Sequence, residues 1–204
     1  MSEISTPIKA IWISGLSSAG KTTLARLVIK RLQEKGYPCL LIDGNETRNL
    51  FDNRFGFDPI SRRKQTRRMK SLAMWVIRQK IIPVVAMIHP FEDDRVKCRK
   101  EIPGYHEVFL NCDINECIRR DKKNVYMPVI KGEKKFVVGL DIPYEEQKNA
   151  DLILESDQYS PEVLLGLLWD NIKDKLYDNR LTDSLFPQNS NQPLSQNTLA
   201  QIKN

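Results

Sequence analysis

The chain has 204 residues, 41% of them hydrophobic and 28% charged, a balance that suits a globular protein with one substantial core and excludes a disordered chain. No apolar run approaches the ~20 residues that span a bilayer, and the start MSEISTPIKA lacks the basic-then-apolar order of a secretory signal. A net charge of +6 suits an anionic partner, whether nucleotide, nucleic acid or membrane surface, and composition does not choose among them.

After a lead of residues 1–9, AIWIS (10–14) is an apolar, β-favouring run that opens directly into a glycine loop. In the following KTTLARLVIKRLQEKG, Leu24, Leu27, Val28, Arg31 and Leu32 recur at helical spacing, and Gly36 is a fitting stop. PCLLID (38–43) is a short continuous apolar run, the pattern of a strand buried on both faces of a parallel sheet. SRRKQTRRMKSLAMWVIRQK (61–80) reads as a helix capped by Ser61, with Met69, Leu72, Ala73 and Val76 along one side. VVAMI (84–88) and EVFLNC (107–112) read as strands with a helix between them over EDDRVKCRKEI, and INECIRRD (114–121) begins another helix. ADLILES (150–156) reads as a last strand at the sheet's edge, and SPEVLLGLLWDNIKDKLYD (160–178) as a closing helix with proline in its first turn.

This alternation predicts an α/β fold of the P-loop type: a central parallel sheet with helices on both faces, in one domain over residues 10–179. From about residue 180 the chain loses its period and reads as a polar, flexible tail (180–204). The four cysteines (Cys39, Cys98, Cys112, Cys117) show neither a CxxC pair nor zinc spacing, and read as buried thiols in a reducing cytoplasm.

Gly15-Leu16-Ser17-Ser18-Ala19-Gly20-Lys21-Thr22 fits G-x-x-x-x-G-K-[ST], between a strand and a helix as that motif requires. Its glycines let backbone N–H groups curl around a phosphate, and the following helix presents its positive end to the same anion. Lys21 would charge-pair with the β- and γ-phosphates, and Thr22 would ligate Mg²⁺; Thr23 belongs to the same ATP-binding turn. No N-K-x-D guanine-reading motif is present, which argues against a GTPase, and no strand ends clearly in the acidic pair of a helicase. A small-molecule kinase remains, with its acceptor opposite the γ-phosphate. Asp43 ends the second strand, where ligands gather in open α/β sheets, and could hold Mg²⁺ or accept the acceptor hydroxyl's proton.

The blocks WISGLSSAGKTTLA, LIDGNETR, FGFDPISRRKQTRR, RDKKNVY and GLDIPYE occur in the order and spacing of adenylylsulfate kinases, and the resemblance runs over residues 11–154. It implies MgATP as donor, transfer to the 3′-hydroxyl of adenylyl sulfate, a lid over about residues 122–144, and a homodimer. By position, Asp43 matches the first acid of the family's D-G-D-N-x-R and Arg48 its arginine. Phe57 matches a phenylalanine that stacks on the acceptor base, Arg62 an arginine that binds acceptor phosphate, and Arg120 an arginine near the ATP base.

The chain departs from the family on the acceptor side. The second acid of D-G-D is Asn45, an asparagine near the acceptor's sulfate is Gln65, and the serine of S-P-Y is His89. The lid's basic K-K-A-R is Met127-Pro128-Val129-Ile130, and the second stacking phenylalanine falls on Val137, with Phe136 adjacent. Gln65, His89, Phe136 and Val137 thus complete an expected acceptor set whose polar groups differ from the family's, and such changes alter substrate choice. Besides adenylyl sulfate, the acceptor could be another nucleotide, as in the cytidine diphosphoramidate kinases, which share this motif set. A third reading is a nucleotide-binding module that no longer transfers phosphate.

Arg62, Arg63, Lys64, Arg67, Arg68 and Lys70 crowd one helix start. Without an accompanying nucleic-acid motif they read as a solvated face with Arg62 and Gln65 turned to the acceptor, so no nucleic-acid partner is expected. His106, before a strand, reads as structural, and Trp12, Trp75 and Trp169 read as core.

Overall fold

The computed structural model describes residues 6–145 and 147–178; the tail expected from residue 180 onward lies outside them. Strands β1 (Ala10–Gly15), β2 (Cys39–Asp43), β3 (Ile82–Ala86), β4 (Tyr105–Asn111) and β5 (Leu152–Glu155) form one parallel sheet in the order β2-β3-β1-β4-β5. The helices are α1 (Lys21–Glu34), α2 (Glu46–Asn49), α3 (Pro59–Arg78), α4 (Glu92–Glu101), α5 (Ile114–Arg119), α6 (Met127–Ile130) and α7 (Pro161–Ile172). The short α2 and α6 have no periodicity to reveal them in the sequence.

Strand alternation divides the core into two layers. Ile11 and Ile13 of β1 face α1 and α7 with Val84, Ala86, Val108 and Leu110, against Leu24, Val28, Leu32 and Leu168. Ala10 and Trp12 face α3 and α4 with Val85 and Tyr105, against Met69, Ala73, Val76 and Cys98. Each fully buried aliphatic side chain of this kind contributes roughly 1.5–3 kcal/mol. β1 therefore lies in the middle of the sheet, with every residue buried.

Three expectations are corrected. β2 is not buried on both faces: it is an edge strand, and Leu40 is 46% exposed. Asp58, not Ser61, caps α3: its carboxylate accepts from the Ser61 N–H at 2.9 Å, with Pro59 following it in the first turn. Trp75 is not core but 54% exposed on α3, whereas Trp12 is fully buried and Trp169 packs partly against the first layer. Cys98, Cys112 and Cys117 are buried and Cys39 is half-buried, all four as free thiols. No helix among the described residues is long and apolar enough to cross a membrane.

Candidate active site

The C-terminal ends of the strands carry the site, beginning with the loop between β1 and α1. Gly15 has φ 142, and a Cβ there would meet the Leu110 carbonyl oxygen at 2.5 Å; Gly20, which precedes α1, has φ 95. Both positions need glycine, and Ser18 between them is also left-handed at φ 61. Ala19 is buried, and its N–H donates to the Leu16 carbonyl at 3.3 Å, so residues 15–20 form a tight arch rather than an open turn. Lys21 donates its ammonium to the Leu16 carbonyl across the arch. Burial lowers its pKa to about 8, against the pull of Cys117 and Asp43, so the charge survives at neutral pH. Thr22 and Thr23 follow in the first turn of α1.

One acidic side chain ties this arch to the second loop. The Thr22 hydroxyl donates to Asp43 Oδ2 at 2.6 Å, while Asp43 Oδ1 accepts from the N–H groups of Asn45 at 2.7 Å and Glu46 at 3.3 Å. Asp43 is thus buried yet hydrogen-bonded on both oxygens, the condition under which a buried carboxylate is tolerated. Asn45, at the start of α2, is exposed. The hydroxyl and carboxylate offer two hard oxygen ligands, which fits Mg²⁺ held jointly by a protein and substrate phosphates.

Beyond α2, two guanidiniums converge on one ring. Arg48 lies 4.9 Å and Arg62 5.7 Å from the centroid of Phe57, itself 55% exposed. Arg48 donates to the carbonyls of Phe55 and Gly56 at 2.7 and 2.9 Å. Arg62 donates to the Phe136 carbonyl at 2.8 Å, and its Nε has no hydrogen-bond partner among the described residues. Burial and the neighbouring Arg48 push the Arg62 pKa down to about 10. Two cations and an exposed aromatic face make a place for an anionic, base-bearing molecule. Phe136, also exposed, is joined to this group by its carbonyl.

Other expected residues stand elsewhere. Gln65 is 1% exposed, and its amide nitrogen donates to Thr47 Oγ1 at 2.9 Å and the Gly44 carbonyl at 3.4 Å, tying α3 to the loop after β2, while its Oε1 is buried with no hydrogen-bond partner among the described residues. His89 is fully buried with φ 54; its ring packs 5.3 Å from Trp12 and 3.9 Å from the Cys98 sulfur. Desolvation lowers its pKa to about 3, which keeps it neutral inside the core, away from the exposed Phe57 face. Val137 is buried in the first layer, so of the adjacent pair only Phe136 exposes its side chain. Arg120 follows α5, held by Glu116 at 2.5 Å and the Ser156 carbonyl at 2.9 Å. The sequence reading gave no role to Tyr126, which is buried and donates its hydroxyl to the Ser17 carbonyl at 3.0 Å, pinning the arch to the segment before α6.

Among the described residues, two of the six cations at the helix start pair with carboxylates and a third stacks on aromatic rings. Arg63 pairs with Asp94 at 3.3 Å, Lys70 pairs with Glu101, and Arg68 stacks on Phe51 and Phe55 at 4.3 and 4.0 Å. His106 is buried 4.0 Å from Asp151. Among the described residues no group of three or more His, Cys, Asp or Glu side chains could hold a metal ion.

Comparison with known proteins brings these features together. A family described as adenylylsulphate kinase matches residues 8–155, more than half of the chain. The adenylyl-sulfate kinase of Bacillus pumilus (strain SAFR-032) is 36% identical over 167 residues, covering 81% of this chain and 85% of its own length. The probable adenylyl-sulfate kinase of Bacillus subtilis (strain 168) is 34% identical over 168 residues, with the same two coverages. Among solved structures, the Mycobacterium tuberculosis APS kinase CysC in complex with AMPPNP and APS superposes with a TM-score of 0.77 at 30% identity, over 82% of this chain and 99% of that one.

Proposed function

The chain belongs to the adenylylsulphate kinase family, and from that premise we propose that it transfers the γ-phosphate of ATP to the 3′-hydroxyl of adenylyl sulfate, giving 3′-phosphoadenylyl sulfate and ADP. The observation that carries the reading is the 2.6 Å contact between Thr22 and Asp43, which brings the end of the phosphate arch and the head of the acceptor loop to one point.

The loop 15–20 and Lys21 hold the donor's phosphates, with the protonated ammonium leaving the Leu16 carbonyl for the anion. Thr22 and Asp43 would hold Mg²⁺, which when bound neutralises charge on the phosphate oxygens. Arg48 and Arg62 bind the acceptor's anionic groups, and Phe57 stacks on its base. Asp43 orients the acceptor hydroxyl and takes its proton. Phosphoryl transfer passes through a loose transition state, so positioning by these groups supplies most of the acceleration, and Asn45 in place of a second acid does not forbid the reaction. Arg120 borders the donor base. The reading also places the enzyme in the cytoplasm as a homodimer, which sedimentation equilibrium tests.

Coupled ADP release with adenylyl sulfate is the decisive assay. Turnover supports the reading; turnover with a cytidine nucleotide and none with adenylyl sulfate overturns it. That second outcome has its own support: both Gln65 amide hydrogens are engaged within the protein, and Met127 and Ile130 of the lid are exposed apolar residues. An acceptor with another base and distal group, such as cytidine diphosphoramidate, would suit that altered surface.

A further inference from the structure

Phe136 occupies the left-handed region at φ 73, which a residue with a Cβ rarely adopts. Five residues on, Asp141 holds it there. One carboxylate oxygen accepts from the Phe136 N–H at 2.5 Å and the other from the Val137 N–H at 2.6 Å. The turn is closed by the N–H groups of Asp141 and Ile142, which donate to the Val137 carbonyl at 3.2 Å. This geometry aims the Phe136 carbonyl at Arg62, whose charge is also favoured by the nearby carboxylates of Asp141 and Asp58. It also leaves the Phe136 ring 44% exposed while the neighbouring Val137 side chain turns into the core.

We propose that Asp141 is a positioning residue for the acceptor: by clamping two consecutive lid N–H groups it fixes the Phe136 backbone, which orients Arg62 and keeps an aromatic ring at the acceptor's side before any ligand arrives. The proposal rests on the reading of Arg62 as the acceptor's anion partner. It differs from a merely structural role because it predicts an effect on one substrate only. A carboxylate bonded on both oxygens also explains why the strained residue persists.

The test compares wild type with Asp141→Ala and Asp141→Asn by two measurements on the full chain. The first is calorimetric titration with adenylyl sulfate in the presence of MgADP, beside titration with MgADP alone. The second is amide hydrogen exchange at Phe136 and Val137 without ligand. Asp141→Ala is expected to weaken acceptor binding about tenfold, to leave MgADP affinity within about twofold, and to speed exchange at both amides. In the kinase assay it raises the acceptor's KM more than it lowers kcat. Asp141→Asn should lie between, because its amide oxygen still accepts one of the two bonds. Unchanged acceptor affinity, or an equal loss for MgADP, overturns the proposal. If wild type itself binds no adenylyl sulfate, the substrate reading fails, and the same titration with a cytidine nucleotide takes its place. Unchanged amide exchange then overturns the positioning role by itself.

Discussion

The donor and acceptor halves of the site hang from strands in unlike surroundings. The phosphate arch follows β1, which is paired on both sides and buried along its length. Asp43 and α2 follow β2, which among the described residues pairs with β3 alone and leaves Leu40 exposed. Around the arch, a Cβ at Gly15 would strike a neighbouring backbone oxygen, so most substitutions there clash. Around the acceptor, Phe57, Phe136, Met127 and Ile130 are exposed, and replacing them disturbs little packing. Of the positions that depart from the family pattern, Asn45, Met127 and Ile130 are exposed, whereas Gln65, His89, Pro128 and Val137 are buried, so only part of the change on the acceptor side falls where packing is loose.

The largest expected effect tests the donor half. Lys21→Ala should lower kcat by at least ~10²-fold, the scale of losing one preorganised charge donor, while calorimetry still finds acceptor binding. Loss of both ligands together would show that the halves are not separable. Arg62→Ala should raise the acceptor's KM by ~10- to 100-fold, from one charge-assisted hydrogen bond of ~1.5–3 kcal/mol, with the ATP KM unchanged. An ATP defect of equal size would remove the distinction. Asn45→Asp, which adds a carboxylate at the head of α2, should raise kcat with adenylyl sulfate by about three- to tenfold, less than the ~10²–10⁴-fold of a full general base because Asp43 already stands at the site. No change in steady-state rate would mean that this exposed side chain stands outside the reaction.

The smallest effect is a matter of protons. Burial holds Lys21 near pKa 8 in the free protein, and the phosphates of bound ATP favour its charged form, raising that value. Between pH 8 and the raised value the complex therefore binds more protons than the free protein, so ATP binding takes protons up, and this uptake fades as pH falls through 7. Calorimetry at pH 8.5 in buffers of different ionisation enthalpy should register it, and equal heats in all buffers would contradict it.

The donor half was legible in the sequence because its chemistry is local: eight consecutive residues between an apolar strand and a periodic helix specify the arch. Helices α1, α3 and α7 were legible by spacing for the same reason, and α4 by its place between two strands. The position of β2 was not, since a continuous apolar run reads alike at the centre and at the edge of a sheet. Asp58 and Ser61 are both capping residues, and Pro59 favours a first turn immediately after Asp58. His89 stands at a strand end, where a site is expected, but its left-handed backbone sends the ring inward against Trp12. Tyr126 and Gln65 act on partners 109 and 18 residues away, a kind of contact that no local pattern encodes.

Asp43 has one more consequence. One of its oxygens holds a hydroxyl of the first nucleotide site and the other holds the opening turn of α2, so a single carboxyl group is shared between two binding events. Whatever draws Oδ2 away from Thr22 alters the rotation of the group on which α2 rests. Thermodynamic linkage makes any such influence mutual: if the first substrate strengthens the grip on the second by some factor, the second must strengthen the grip on the first by that same factor, whichever arrives earlier.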